Sequence, residues 1–131
     1  MLIGIDASRA TAARRTGTEV YSLHLIRALL ARGAGHRFRL YFNQAPASGL
    51  FSTTADSRVM PFPRLWTHLR LSREMYSLPP DVLFVPSHVL PLIHPPRCVV
   101  TVHDLGFHYY PQAHTLCQNA YLRWSTRFNA R

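Results

Sequence analysis

Cys98-Val99-Val100-Thr101-Val102-His103-Asp104 is an almost unbroken apolar run that follows Pro95-Pro96 and stops on a histidine and an acid. A strand with one wet face alternates apolar and polar residues, whereas a run without alternation suits a strand covered on both faces, the habit of parallel sheets. Asp81 to Val85, set between Pro79-Pro80 and Pro86, reads the same way. Asp81 to Val85 and Cys98 to Val102 are predicted to be central strands, joined by a proline-punctuated loop from Pro86 to Pro96. Leu2 to Asp6 is another short apolar segment closed by an acid, and reads as a buried strand.

Helical signals fill the gaps between these runs. Thr16 with Glu19 three residues later has the spacing of a capping box, so a helix is predicted to begin there. Tyr21, Leu25 and Leu29, flanked by Ser22, Leu23, Ile26 and Leu30, form a wide apolar stripe suited to packing on a sheet. Gly33 and Gly35 supply the stop, because glycine tolerates the left-handed conformation that closes a helix. Phe38 to Asn43 reads as the second strand, Gln44 to Ser57 as a loop, and Arg58 to Pro61 as a short third strand. Leu65, Leu69, Ser72 and Tyr76 recur at helical spacing until Pro79-Pro80, with Arg64, Arg70 and Arg73 on the flanks. Thr115 with Gln118 repeats the capping-box pattern, and Cys117, Tyr121, Trp124 and Phe128 stripe the helix that follows. No internal repeat is visible. Strands alternating with helices predict one α/β domain, a Rossmann-like, doubly wound parallel sheet. Ligands of such sheets bind beyond the carboxyl ends of the strands, which here are the loops Ala7 to Gly17, Pro86 to Pro91 and His103 to Phe107.

Composition narrows the class less than pattern does. The 131 residues are 47% hydrophobic, enough for one core and too few for two ordinary domains. No apolar run approaches the roughly 18 residues of a membrane span, and Leu2 to Ile5 is cut short by Asp6, so neither a spanning helix nor a leader is expected and a cytoplasmic address follows. Cys98 and Cys117 lack any paired metal or redox spacing and are expected to be buried thiols. The net charge is +9 with histidines neutral, and every basic residue is an arginine. That favours anionic partners such as diphosphates, lipid phosphates or nucleic acid, although a GC-rich genome produces the same bias. No nucleic-acid-binding motif accompanies the charge, so no nucleic-acid partner is expected.

Several side chains could carry chemistry. Arg14-Arg15-Thr16-Gly17-Thr18 spans a helix start, where unpaired amides and the positive helix end favour an anion. Its single glycine matches neither the dinucleotide nor the P-loop fingerprint, and an ordinary capped helix start fits equally. His103-Asp104 stands at the carboxyl edge of the sheet. The imidazole there could bond a sugar hydroxyl, stabilise developing positive charge through its carbonyl, act as a base, or simply cap the strand. His88, His94, His103, His108 and His114 match no metal-ligand spacing, so no metal is expected. Adjacent His-Asp also serves metal phosphohydrolases, but in helical folds, and here the pair ends a strand. The helix around Trp66, Arg70 and Arg73 is open to peripheral contact with an anionic membrane, with a solvated arginine face favoured.

Taken in order, Leu2-Ile3-Gly4-Ile5-Asp6-Ala7-Ser8-Arg9, Thr16-Gly17-Thr18-Glu19-Val20-Tyr21, Pro80-Asp81-Val82-Leu83-Phe84-Val85-Pro86 and Val99-Val100-Thr101-Val102-His103-Asp104-Leu105 resemble the first domain of glycosyltransferase family 4. The resemblance covers nearly the whole chain. It implies the amino-terminal, acceptor-side half of a GT-B enzyme, whose donor-binding carboxyl-terminal domain is absent from these residues and without which the chain is expected to be inactive. It implies transfer of a hexose from a nucleotide-diphosphate sugar to a glycan or lipid-linked acceptor, with retention and without a metal or other cofactor. By the same resemblance His103 and Asp104 are the catalytic-edge residues, the histidine near the anomeric centre and the aspartate orienting the loop. Thr16, Gly17 and Thr18 approach the donor phosphates, and Arg9, Ser87 and His88 contact the acceptor. The implied address is cytoplasmic, with membrane contact on the inner face left open. The reading from a different class is a non-catalytic α/β module that binds a nucleotide or another anion.

Overall fold

A computed structural model describes residues 1–51 and 55–130; part of the loop expected over Gln44 to Ser57, and Arg131, lie outside the described residues. The described residues form five strands, β1 (Leu2–Asp6), β2 (Arg37–Phe42), β3 (Asp56–Val59), β4 (Val82–Val85) and β5 (Cys98–Val100). Helix α1 (Gly17–Arg32) connects β1 to β2, and α2 (Ser72–Ser77) lies between β3 and β4. A short α3 (Gly106–Tyr109) and the longer α4 (Leu116–Asn129) follow β5. All pairings are parallel, in the order β3-β2-β1-β4-β5. The Rossmann-like α/β fold expected from alternation is the fold observed. No helix among the described residues is long and apolar enough to cross a membrane.

Alternation along the strands sends side chains to two cores. Ile3, Ile5, Phe38, Leu40, Phe42 and Phe84 meet Leu23, Ile26, Leu29 and Leu30 of α1. Tyr41, Leu83 and Val85 meet Leu71 and Met75, with Phe128 of α4 beside them. Each fully buried side chain of this size is worth about 1.5–3 kcal/mol, so burial on both faces makes β1, β2 and β4 the rigid centre. Gly4 is required by this packing. A Cβ there would come 2.7 Å from Pro80 Cγ and 2.8 Å from Tyr41 Cε2, closer than real Cβ contacts permit.

The structure departs from the expected boundaries in places that have physical causes. β3 begins two residues earlier than Arg58, where Asp56 can pair opposite Arg39. β5 has a neighbour on one side only, so it is an edge strand rather than a central one, and Val99 is 54% exposed. Gly33 caps α1 at φ −82°, and Gly35 alone carries the left-handed turn, at φ +90°. A Cβ on Gly33 would overlap the Phe38 ring.

The second helix opens with a wide π-type turn, Thr67–Leu71, in which Leu71 N donates to Trp66 O at 2.9 Å. Leu65, expected to lie in the helix, precedes it at φ +55°. The additional residue in that turn rotates the stripe, so Leu71 and Met75 face the core while Leu69 and Tyr76 are exposed. Of the two thiols, Cys98 is half-buried and Cys117 is exposed, because α4 turns its first turns to solvent. Ala130 caps α4.

Candidate functional site

In the order β3-β2-β1-β4-β5 the connections reverse direction between β1 and β4, and a crevice opens at such a point beyond the strand ends. A cleft of about 290 Å³ lies there. The β1 loop and the start of α1 contribute Arg9, Thr18 and Glu19; the β4 loop contributes Ser87, His88 and Val89; and the segments after β5 contribute His103, Asp104, Phe107, His114 and Leu122. Six residues singled out in the sequence, Arg9, Thr18, Ser87, His88, His103 and Asp104, therefore share one cavity. Thr16 and Gly17 do not line it.

His103 is held from two sides. Its Nε2 lies 3.2 Å from Pro86 O, and its ring meets Tyr21 edge-on with centroids 5.0 Å apart. A carbonyl only accepts, so Nε2 carries the proton, and in the neutral form of an imidazole so protonated Nδ1 is the acceptor. Pro86 O also lies 3.1 Å from the buried Ser22 hydroxyl, which ties α1 to the same point at the end of β4. Asp104 Oδ1 accepts from Gly106 N at 2.9 Å and so turns the chain into α3, whose Phe107 is buried beside the cleft.

His88 is fixed by α4. Its Nε2 is 2.7 Å from Thr126 Oγ1, and that hydroxyl already donates to Leu122 O at 2.8 Å, so it accepts from the histidine. Asn129 clamps the same loop, donating from Nδ2 to His88 O and accepting from Leu90 N at 3.2 Å. Burial lowers the pKa of His88; the charge of Asp104 opposes the shift and that of His103 adds to it. His88 is thus a neutral donor at pH 7.

The start of α1 is occupied by the protein's own acid. Glu19 Oε2 accepts from Thr16 N at 3.0 Å and from the Thr16 hydroxyl, and these bonds, the hydroxyl's first, hold its carboxyl below the usual range. Glu19 Oε1 lies 3.9 Å from Arg9 Nη1. An anion at this helix end would meet an ionised carboxylate. Among the described residues Arg9 is the one arginine that lines the cleft, and Glu19 and Asp104 offset it. Asp6, at the end of β1, is 2% exposed; burial raises its pKa, while Ser8 N, 3.0 Å from its Oδ1, bends the loop that carries Arg9.

Glu19, Tyr21, Phe107 and His114 were not singled out as site residues from the sequence. Glu19 and Tyr21 lie in the first turns of a helix that follows a sheet-edge loop, which was the available signal. Phe107 ends the His103 to Phe107 loop that the sequence places at the ligand-bearing edge, whereas His114, beyond α3, has no local pattern that brings it to the cleft. Although His88, His103, Asp104 and His114 border one cleft, no group of three or more metal-ligating side chains among the described residues is arranged to hold an ion. No family model, characterised protein or solved structure matches the chain.

Proposed function

We propose that this chain is the acceptor-side domain of a retaining GT-B glycosyltransferase of family 4, transferring a hexose from a nucleotide-diphosphate sugar to a hydroxyl of its acceptor. The observation that carries the reading is the convergence of Arg9, Ser87, His88, His103 and Asp104 on one cleft at the switch point of the sheet. In this reading the donor diphosphate belongs to a second Rossmann-like domain facing the cleft. The carboxylates of Glu19 and Asp104 suit hydroxyl recognition better than phosphate binding on this side.

The protein's share of the chemistry is placement and electrostatics. The bond from the anomeric carbon to the leaving phosphate breaks as the bond to the acceptor oxygen forms on the same face. The departing phosphate oxygen takes the acceptor proton, so no protein nucleophile or base is required. His103, with Nε2 held on Pro86 O, offers Nδ1 to a sugar hydroxyl, and Asp104 sets the loop that presents it. The exposed free thiol of Cys117 suits a reducing, cytoplasmic setting.

Titration of the isotope-labelled chain, followed by NMR, tests the reading. Neutral hexoses should shift the ring signals of His88 and His103 at millimolar concentration, and nucleotide sugars should bind this chain no more tightly than roughly 1 mM. Micromolar nucleotide binding by the chain alone would favour a non-catalytic anion-binding module. Turnover of a sugar nucleotide by the chain alone would overturn the divided site.

A further inference from the structure

The cleft does not end at Arg9 and Glu19. On their far side, beyond the carboxyl ends of β1 and β2, is a second hollow of about 330 Å³ that shares both residues and is walled by Ser8, Asn43, Gln44 and Trp66. Its lining is polar but almost neutral. Asn43 Oδ1 is buried with no hydrogen-bond partner among the described residues, and a buried carbonyl-type oxygen left unpaired is costly unless something satisfies it. Gln44 is anchored through Nε2, 3.0 Å from Thr11 O and 3.3 Å from Thr11 Oγ1. The Trp66 indole donates to Met60 O at 2.7 Å, which fixes the ring as a wall.

Between the two hollows Glu19 is ionised, with Oε2 committed to Thr16 and Oε1 directed to Arg9 at 3.9 Å, a distance that leaves Oε1 able to accept from a hydroxyl. This chemistry disfavours the other ligand classes. A phosphate would be repelled by Glu19, and an acyl chain would strand the amides without partners. Amides, hydroxyls and one carboxylate–guanidinium pair match a neutral polyol.

We propose that the second hollow is the subsite for the next sugar of a glycan acceptor, which lies across Arg9 and Glu19 with its reactive end at His103. The substrate class is an oligosaccharide of two or more units. Each hollow by itself is at the lower limit of ordinary ligand sites, about 300 Å³, and the shared residues make them one extended site. The inference rests on the transferase reading above.

The test compares glucose with maltose and cellobiose, galactose with lactose, and mannose with α-1,6-mannobiose, by NMR on the labelled chain. At least one disaccharide should bind about tenfold or more tightly than its own monosaccharide. It should shift the side-chain amides of Asn43 and Gln44 and the Trp66 indole together with the His88 and His103 rings. Asn43→Ala, shown to be folded by an otherwise unchanged spectrum, should remove that advantage and keep the response at the His103 end; Gln44→Ala is the second variant should it not fold. Monosaccharides that shift the histidines, with disaccharides no tighter, would overturn the subsite and leave the transferase reading standing. Disaccharide binding indifferent to both variants would overturn it equally. No shift at either end by any sugar would overturn both.

Discussion

Gly17 opens α1 with nothing within 4 Å of where a Cβ would sit and with no left-handed backbone to preserve. Packing therefore does not require this glycine, and Gly17→Ala should raise stability by about 0.4–1 kcal/mol through the unfolded chain, measurable by thermal unfolding. If a donor phosphate approaches the backbone here in the complete enzyme, the same variant should weaken donor binding despite folding better. Asp6 is the opposite case. Its folded pKa is raised above 3.8 by burial, so the stability it contributes is present below pH 3.8 and lost as pH rises through the folded value. Asp6→Asn, which keeps an acceptor for Ser8 N, should unfold at a higher temperature than the parent at pH 7, with the difference vanishing below pH 3.8; a parent more stable at pH 7 would refute this. At this scale His103 was legible because it directly follows an apolar run. Tyr21, which packs on that histidine across 82 positions of chain, reads in the sequence only as part of a helical stripe.

The element whose orientation the sequence misplaced is the helix before β4. Its π-type first turn puts Leu71 at 0% exposure and leaves Leu69 at 49%. Leu71→Ala should accordingly cost about 2–5 kcal/mol and Leu69→Ala within roughly 0.5 kcal/mol, as read by urea unfolding; the reverse order would restore the regular phase. The same helix is fastened to β3 by the buried Glu74. Arg58 Nη2 is 2.6 Å from its Oε1, in a charge contact without hydrogen-bond alignment, and Arg70 Nη1 is 3.3 Å from its Oε2. Glu74→Gln removes the charge that answers both arginines and should destabilise by about 1–3 kcal/mol. The capping boxes at Thr16 and Thr115 were legible because a cap is a contact three residues long. A turn widened by one residue has no such local signature.

Over the whole molecule, α4 holds the site from outside the sheet, through Thr126 and Asn129 to the β4 loop and through Tyr121 to His68, with Tyr121 OH 2.8 Å from His68 Nε2. His68 and His88 both have pKa values lowered from 6.5 by burial. A histidine whose folded pKa is depressed contributes stability that is present above pH 6.5 and lost as pH falls through the folded value. The midpoint of unfolding should therefore drop as pH is lowered from 6.5, and His68→Gln with His88→Gln should flatten that slope; an unchanged slope would locate the titrating groups elsewhere. What the sequence alone determined is the existence of five strands, their parallel character, the helices after β1, before β4 and after β5, and the three loops at the carboxyl edge of the sheet. Each of these follows from hydrophobic period, capping spacing and proline placement within a few residues. Only the tertiary structure decided that β5 is an edge, that the helical segment before β4 faces the core through Leu71 and Met75, that Tyr21 packs on His103, and that Glu19, Phe107 and His114 border the cleft. Those facts arise from contacts between segments far apart in the chain, where packing of one element on another selects the outcome and no local pattern encodes it.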